Sequence, residues 1–214
     1  MKVVEIFNSI EGEGKRAGLP ATFIRLFGCN LRCSYCDSMY AVEGTDYTEM
    51  SVEQIMDKAE EIGCPNITIT GGEPLIHKDI VDLLTTLCSG GFWVNVETNG
   101  SVKIPYRTVD DRLFYTVDYK TGSSGMSDKM DLELFKRLTK SDVLKFVVGS
   151  SQDLTEASLF CKNLSSQPQI YISPVFGNIE PVELVEFVLA NKLWDWKVQL
   201  QLHKFIWEPD ERGV

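Results

Sequence analysis

The sequence predicts a single α/β domain built on a mainly parallel sheet. Three observations carry this. The 214 residues suffice for one substantial core and are too few for two. Short β-rich runs alternate with helical patterns, the signature of βαβ units. No internal repeat, low-complexity tract or linker interrupts the series.

In chain order, 21–26 (ATFIRL) reads as the first strand. A helix over 51–62 follows, where Ser51 and Gln54 make a capping-box pattern and Val52, Ile55, Met56, Ala59 and Ile62 share one face. Strands are expected at 66–70 (NITIT), 92–97 (FWVNVE), 113–118 (LFYTVD), 143–148 (VLKFVV), 168–173 (PQIYIS) and 197–202 (KVQLQL). Between them lie helices near 77–89, 131–139, 153–163 and 181–191, the last opening on Pro181 at a favoured first-turn position. Ligands of such sheets gather at the loops that follow the strands' C-terminal ends. The loops Gly28–Tyr40, Gly71–Pro74, Thr98–Gly100 and Tyr119–Gly125 are therefore expected to line one rim.

With 43% hydrophobic and 24% charged residues, the composition is that of an ordinary globular protein. The net charge of −10, without a basic stripe or tail, argues against nucleic acid as a partner. No apolar run reaches membrane-helix length, and the start MKVVEIFNSIEGEG lacks the pattern of a secretory signal. A cytoplasmic location follows as an expectation, in which the six cysteines point to metal or redox chemistry and not to disulfides.

Three of these cysteines, Cys29, Cys33 and Cys36, stand at C-x₃-C-x₂-C spacing in GCNLRCSYCD. Three thiolates on one loop can ligate three irons of a cubane cluster and leave the fourth iron open, whereas electron carriers normally use four cysteines. Cys64, Cys88 and Cys161 read as small buried or half-buried hydrophobes. The alternative is a structural zinc site. Zinc usually takes paired N/S ligands, and neither His77 nor His203 stands at the spacing that would complete a pair.

The triplet, with Tyr35 before its last cysteine, resembles the signature of the radical S-adenosylmethionine superfamily. The resemblance extends to ITGGEP, Ile69–Pro74. Gly71 and Gly72 let the backbone approach closely, and Glu73 would offer a charge-assisted bond to the cofactor's ammonium. On its own GGEP could equally be a turn before the next helix. A narrower match is to the 7-carboxy-7-deazaguanine synthase family, carried by EIFNSIEGEGKRAGLPATFIRLFGCNLRCSYCDSMYA and by the ending LQLHKFIWEPDERGV. Glu11 departs from the Gln commoner in that family, and Ser38 stands where many members carry Thr.

The resemblance implies an incomplete (β/α) barrel of the radical S-adenosylmethionine type, with a cluster loop at 28–40 and a tail at 203–214 closing the substrate site. It implies a 4Fe-4S cluster, S-adenosylmethionine and Mg²⁺. The substrate would be 6-carboxy-5,6,7,8-tetrahydropterin. A 5′-deoxyadenosyl radical would abstract hydrogen from its C6, and ring contraction with loss of ammonia would follow. The pterin would lie on the backbone of Ile10, Glu11 and Gly12, with Arg25 on its carboxylate and Thr70 and the Val214 carboxylate nearby. Glu11 and Glu13 would hold its guanidine-like edge or decorate a turn. Tyr35, Asp37, Gly71, Gly72, Glu73, Asp118 and Lys120 would bind the cofactor, Lys120 through its carboxylate. Glu97, Thr98 and Asn99 are weaker candidates for either pocket. Ser38 would ligate Mg²⁺, its alternative being a helix cap. Arg25, a charge inside an apolar strand, has the alternatives of an outward-facing residue or an internal ion pair. An external electron donor such as flavodoxin or ferredoxin and a homodimer are further implications. The rival readings are a glycyl-radical-activating enzyme and a zinc-stabilised binding module without catalysis.

Overall fold

A computed structural model gives the architecture and describes residues 1–105, 111–209 and 211–214. Its strands are β1 (Lys2–Ile10), β2 (Pro20–Leu26), β3 (Thr48–Glu49), β4 (Asn66–Gly71), β5 (Trp93–Thr98), β6 (Leu113–Tyr119), β7 (Val143–Val148), β8 (Gln169–Pro174) and β9 (Trp196–Val198). Among the described residues they form one nine-stranded sheet in the order β3-β1-β2-β4-β5-β6-β7-β8-β9. From β2 to β9 every neighbour is parallel, and β1 joins β2 and β3 antiparallel. The sheet does not close, because β3 and β9 are its two edges. The expected incomplete α/β barrel is thus the observed fold.

Helices α1 (Val52–Ile62), α2 (Ile80–Ser89), α3 (Leu132–Phe135), α4 (Ser151–Lys162) and α5 (Pro181–Ala190) connect the parallel strands, and α6 (His203–Ile206) follows β9. The Ser51–Gln54 capping box is present in both directions, with Gln54 N donating to Ser51 Oγ at 3.2 Å and Ser51 N to Gln54 Oε1 at 2.8 Å. Strand β1 was not anticipated, nor were β3 and α6. The helix expected at 131–139 is only α3. Past Lys136 its hydrogen bonds tighten to the i−3 type, and the Asp142 carboxylate accepts from Thr139 N at 2.7 Å, which ends the turn. Helix α2 starts three residues late because Pro74–Ile76 forms a separate 3₁₀ turn and His77 is extended. The strand expected at 197–202 stops at Val198, since Gln199 turns away to hold Gly14 through two hydrogen bonds of 2.7 and 3.0 Å.

Side chains of the parallel strands alternate between two faces. One face carries Ile24, Leu26, Ile67, Ile69, Val94, Val96, Val117, Leu144 and Phe146, all fully buried, and forms the core with Ile55, Ala59, Leu83, Leu87, Leu154 and Leu184. The other face carries Arg25, Thr68, Thr70, Asn95, Glu97, Thr116, Asp118 and Lys145. Parallel strands covered on both sides normally read as continuous apolar runs, so a polar inner face marks the concave side as a chemical site and not as packing.

Candidate active site

A cavity of about 700 Å³ opens on the concave side at the strands' C-terminal ends. Of the residues expected to bind cluster, cofactor, metal or substrate, every one except Glu73 lines it. The four loops expected to share a rim all contribute.

The cluster loop is held by main-chain bonds from its neighbours. Gly28 N donates to Ala41 O at 2.7 Å, and Ser34 N donates to Ser124 O at 3.0 Å. Ser34 Oγ donates to Ser123 O at 2.6 Å, and Tyr35 Oη to Val147 O at 3.1 Å. The loop after β4 is zipped onto its start, with Gly72 N on Leu26 O at 3.0 Å and Glu73 N on Gly28 O at 2.8 Å. A Cβ on Gly72 would stand 2.0 Å from Gly28 O, so only glycine permits this approach. Burial pushes the Cys33 and Cys36 thiols up, which a metal would reverse by drawing off the proton.

The Glu73 side chain lies behind the cavity lining. Its carboxylate is wholly buried, with Oε1 accepting from Leu75 N (2.9 Å) and Thr98 Oγ1 (2.8 Å) and Oε2 from Asn99 N (2.7 Å). It therefore ties the turn after β4 to the end of β5 and does not face the cavity. Glu11 reaches the cavity lining but is otherwise enclosed. It is 2% exposed and pairs with Arg16, whose Nη2 stands 2.6 Å from Glu11 Oε1 and also donates to Ile67 O and Thr68 Oγ1. Glu13 remains toward the cavity, with Oε2 accepting from Lys145 and Gln201, each at 3.2 Å. Its Oε1 is buried and takes no hydrogen bond from the described residues.

Arg25 makes an internal ion pair and also lines the cavity. Its Nε donates to Glu5 Oε1 at 2.6 Å, and it lines the cavity between the Phe7 and Tyr40 rings. Among the described residues its terminal nitrogens make no hydrogen bond, and these are the fork that a carboxylate takes. Thr70 Oγ1 donates to Glu97 Oε2 at 2.7 Å. Lys120 Nζ stands 2.7 Å from Asp118 Oδ2, and Lys145 Nζ 3.3 Å from Asp118 Oδ1. Burial opposes charge on Asp118, but the two ammonium groups hold its carboxyl below the usual range. Ser38 Oγ donates to Asp37 Oδ1 at 2.9 Å and caps no backbone group of the turn it precedes. Despite partial burial, Lys204 and the Ser38 hydroxyl hold the Asp37 carboxyl low.

The tail docks beside this. Leu202 N donates to Gly12 O at 3.0 Å, and a Cβ on Gly12 would stand 2.2 Å from His203 Nδ1. Arg212 lies 3.9 Å from the Tyr40 ring centre, and Val214 reaches the cavity. Of the expected tail, 203–214, only Asp210 lies outside the described residues. Arg16, Lys145, Gln201 and Lys204 were not singled out from the sequence. Lys145 in VLKFVV gave the same signal as Arg25 in TFIRLF, one charge inside an apolar strand.

The donor set fits a cluster. Among the described residues no three His, Cys, Asp or Glu side chains converge on a single ion. A cubane needs no such convergence, since each thiolate meets a different iron. All six cysteines are free thiols.

Residues 23–112 match the model of the radical SAM superfamily. A protein of Clostridium acetobutylicum named 7-carboxy-7-deazaguanine synthase is 46% identical over 218 aligned positions, covering 100% of this chain and 99% of its own. A protein of the same name from Chlorobaculum tepidum is 37% identical, covering 100% and 97%. The crystal structure of QueE from Escherichia coli superposes with a TM-score of 0.78 at 24% identity, covering 93% of this chain and 92% of that one, a likeness of fold. The chain belongs to the 7-carboxy-7-deazaguanine synthase family. Membership of a radical SAM family implies a 4Fe-4S cluster and S-adenosylmethionine.

Proposed function

We propose that this chain is the radical S-adenosylmethionine lyase that converts 6-carboxy-5,6,7,8-tetrahydropterin to 7-carboxy-7-deazaguanine with loss of ammonia. The observation that carries the reading is full-length identity of 46% to a relative of that name, in a chain whose cysteine triplet and inner polar face meet in one cavity. When bound, the cluster and S-adenosylmethionine supply a one-electron reduction that generates a carbon radical for hydrogen abstraction. The protein's share is to hold the reactants in register and exclude water. Anaerobic incubation with the pterin, S-adenosylmethionine, Mg²⁺ and a reductant should give a product with the mass of 7-carboxy-7-deazaguanine. Cleavage of S-adenosylmethionine with no change to the pterin would overturn the substrate assignment.

Cys29, Cys33 and Cys36 ligate the cluster. Tyr35, Asp37, Gly71, Gly72, Asp118 and Lys120 form the cofactor side, where the Lys120 ammonium keeps protons beyond the one engaged by Asp118 for a carboxylate. The Ile10–Gly12 backbone, Arg25, Thr70 and the Val214 carboxylate form the substrate side, and the tail closes it. The free Oε1 of Glu13 favours that residue over Glu11 for the pterin's donor edge. The enzyme works in the cytoplasm as a homodimer and draws electrons from flavodoxin or ferredoxin. Among the described residues no helix is long and apolar enough to cross a membrane.

Arg25→Lys is expected to raise the substrate KM tenfold to a hundredfold and leave S-adenosylmethionine binding nearly unchanged. A point charge replaces the fork, and a charged hydrogen bond is worth about 1.5–3 kcal/mol. Equal losses for both ligands would mark a folding role through Glu5. Ser38 is the Mg²⁺ ligand. One neutral hydroxyl binds Mg²⁺ weakly, so metal and pterin should each raise the other's affinity by the same factor. Ser38→Ala should remove most of the Mg²⁺ stimulation and leave the cluster spectrum intact, whereas Ser38→Thr should be tolerated. Undiminished metal dependence in the alanine variant would move the ion elsewhere.

A further inference from the structure

We propose that Asn99 is a positioning residue for the cluster's electron, whose side-chain amide donates to the Cys29 sulfur and raises the cluster's reduction potential. The inference rests on the cluster reading above, with the Cys29 thiol of the structure standing for the ligating thiolate.

Asn99 directly follows β5 and is 7% exposed. Its Nδ2 lies 3.5 Å from Cys29 Sγ and 3.0 Å from Asn30 Oδ1. The orientation of the amide is fixed by its other end, because Oδ1 accepts from Ser101 N at 3.0 Å and Ser101 Oγ at 2.6 Å. A backbone N–H can only donate, so the atom facing it is the oxygen, and the NH₂ faces the sulfur. Asn30 Nδ2 in turn donates to Ser101 Oγ at 2.8 Å, closing a ring of hydrogen bonds around the amide. From the other side the main chain of Asn99 is pinned by the buried Glu73 carboxylate. The acidic residue that fails to reach the cavity thus holds in place the group that reaches the sulfur.

An added electron on an iron–sulfur cluster resides partly on its sulfurs, and a donor aimed at a ligating sulfur stabilises the more negative state. Leu31 N supplies a second donor to Cys29 Sγ at 3.4 Å. Cys29 Sγ thus takes two donors, and Asn99 supplies the one that a side-chain change can remove.

The test is a potentiometric titration of the anaerobic holoprotein, followed by the electron paramagnetic resonance of the reduced cluster. Asn99→Ala deletes the amide and keeps the backbone N–H on which Glu73 depends. Its midpoint should move to a more negative potential, by about 59 mV if reduction becomes tenfold less favourable in this one-electron couple. Asn99→Asp, which puts an acceptor-only anion beside the sulfur, should move it further the same way. A full complement of iron and sulfide with an unchanged midpoint in Asn99→Ala would sink the inference. Should that variant lose its cluster, Asn99→Leu fills the volume without a donor and is judged by the same criterion. Wild-type protein carrying ¹⁵N-asparagine should in addition show nitrogen coupling to the reduced cluster, and its absence also overturns the assignment. Wild-type protein with no reducible cluster overturns the underlying cluster reading instead.

Discussion

Cys33→Ala is expected to give a folded protein with no iron, no sulfide and no turnover. Cys33 is half-buried in a loop that its neighbours hold through Gly28, Ser34 and Tyr35, none of which uses the Cys33 sulfur. Removing the sulfur therefore removes a ligand and little packing. With two thiolates left on the loop, a cubane loses a third of its protein ligation. Iron and sulfide analysis, the visible chromophore and a thermal melt read the two effects separately. A variant that retains an active cluster would remove Cys33 from the ligand set, and a collapsed melting transition would make it a core residue. Cys64→Ser is the control. Among the described residues its thiol makes one hydrogen bond, of 3.4 Å to Pro20 O, and the cluster should survive the change.

Arg16→Ala should carry the largest stability cost of any single charge removal, about 3–5 kcal/mol, the range for breaking a buried ion pair. Arg16 is 8% exposed and its guanidinium spans Glu11, Ile67, Thr68 and Trp93, so its loss strands a buried carboxylate and two carbonyls. The pH dependence follows from Glu11. Burial already raises its carboxyl above the usual range even with Arg16 alongside. A carboxyl with a folded pKa above the unfolded one binds more protons when folded, so stability falls as pH rises through the folded value. Without Arg16 that rise grows. Relative to wild type, the variant should recover stability as pH drops from neutral toward the ordinary carboxylate value of about 4.3. Denaturant unfolding at several pH values measures this. A cost that does not vary with pH would mean that Glu11 is not the stranded group.

Much of this fold lies on the surface of the sequence, because β-rich runs and helical patterns alternate with little else between them. Seven strands and five helices were legible within a few residues, and α1 was legible down to its cap. What escaped notice was decided at a distance. Strand β1 mixes Glu5 and Asn8 with Ile6 and Phe7, and its pairing with β2 depends on partners such as Ile24 and Phe23 that local pattern does not reveal. The end of the helix after Asp131 is set by Asp142, beyond the helix itself. At the site, spacing within one loop singled out Cys29, Cys33 and Cys36 as the candidate ligands, and all three line the cavity. Glu73 shows the limit of a motif, since a sequence gives the residue and not the direction in which its carboxylate turns. The alternation of ITIT, WVNVET and FYTVD did hold the rest. Thr68, Asn95 and Thr116 mark the concave face, but as a period of two the pattern names strands without saying which face is inside.

The anchored cluster loop bears on how the metal gets in. Ser34 fastens it to the segment after β6 and Tyr35 to Val147 in β7, and Gly72 and Glu73 fasten its start to the segment after β4. Those bonds belong to the polypeptide alone, so the chain has already surrendered the loop's conformational freedom before any iron arrives. Uptake then resembles filling a socket more than folding around a nucleus, in contrast to small zinc domains that are unfolded without their ion. Stripping the metal should accordingly leave backbone amide exchange in 28–40 nearly as slow as in the loaded protein, and reloading should restore the cluster without a refolding step.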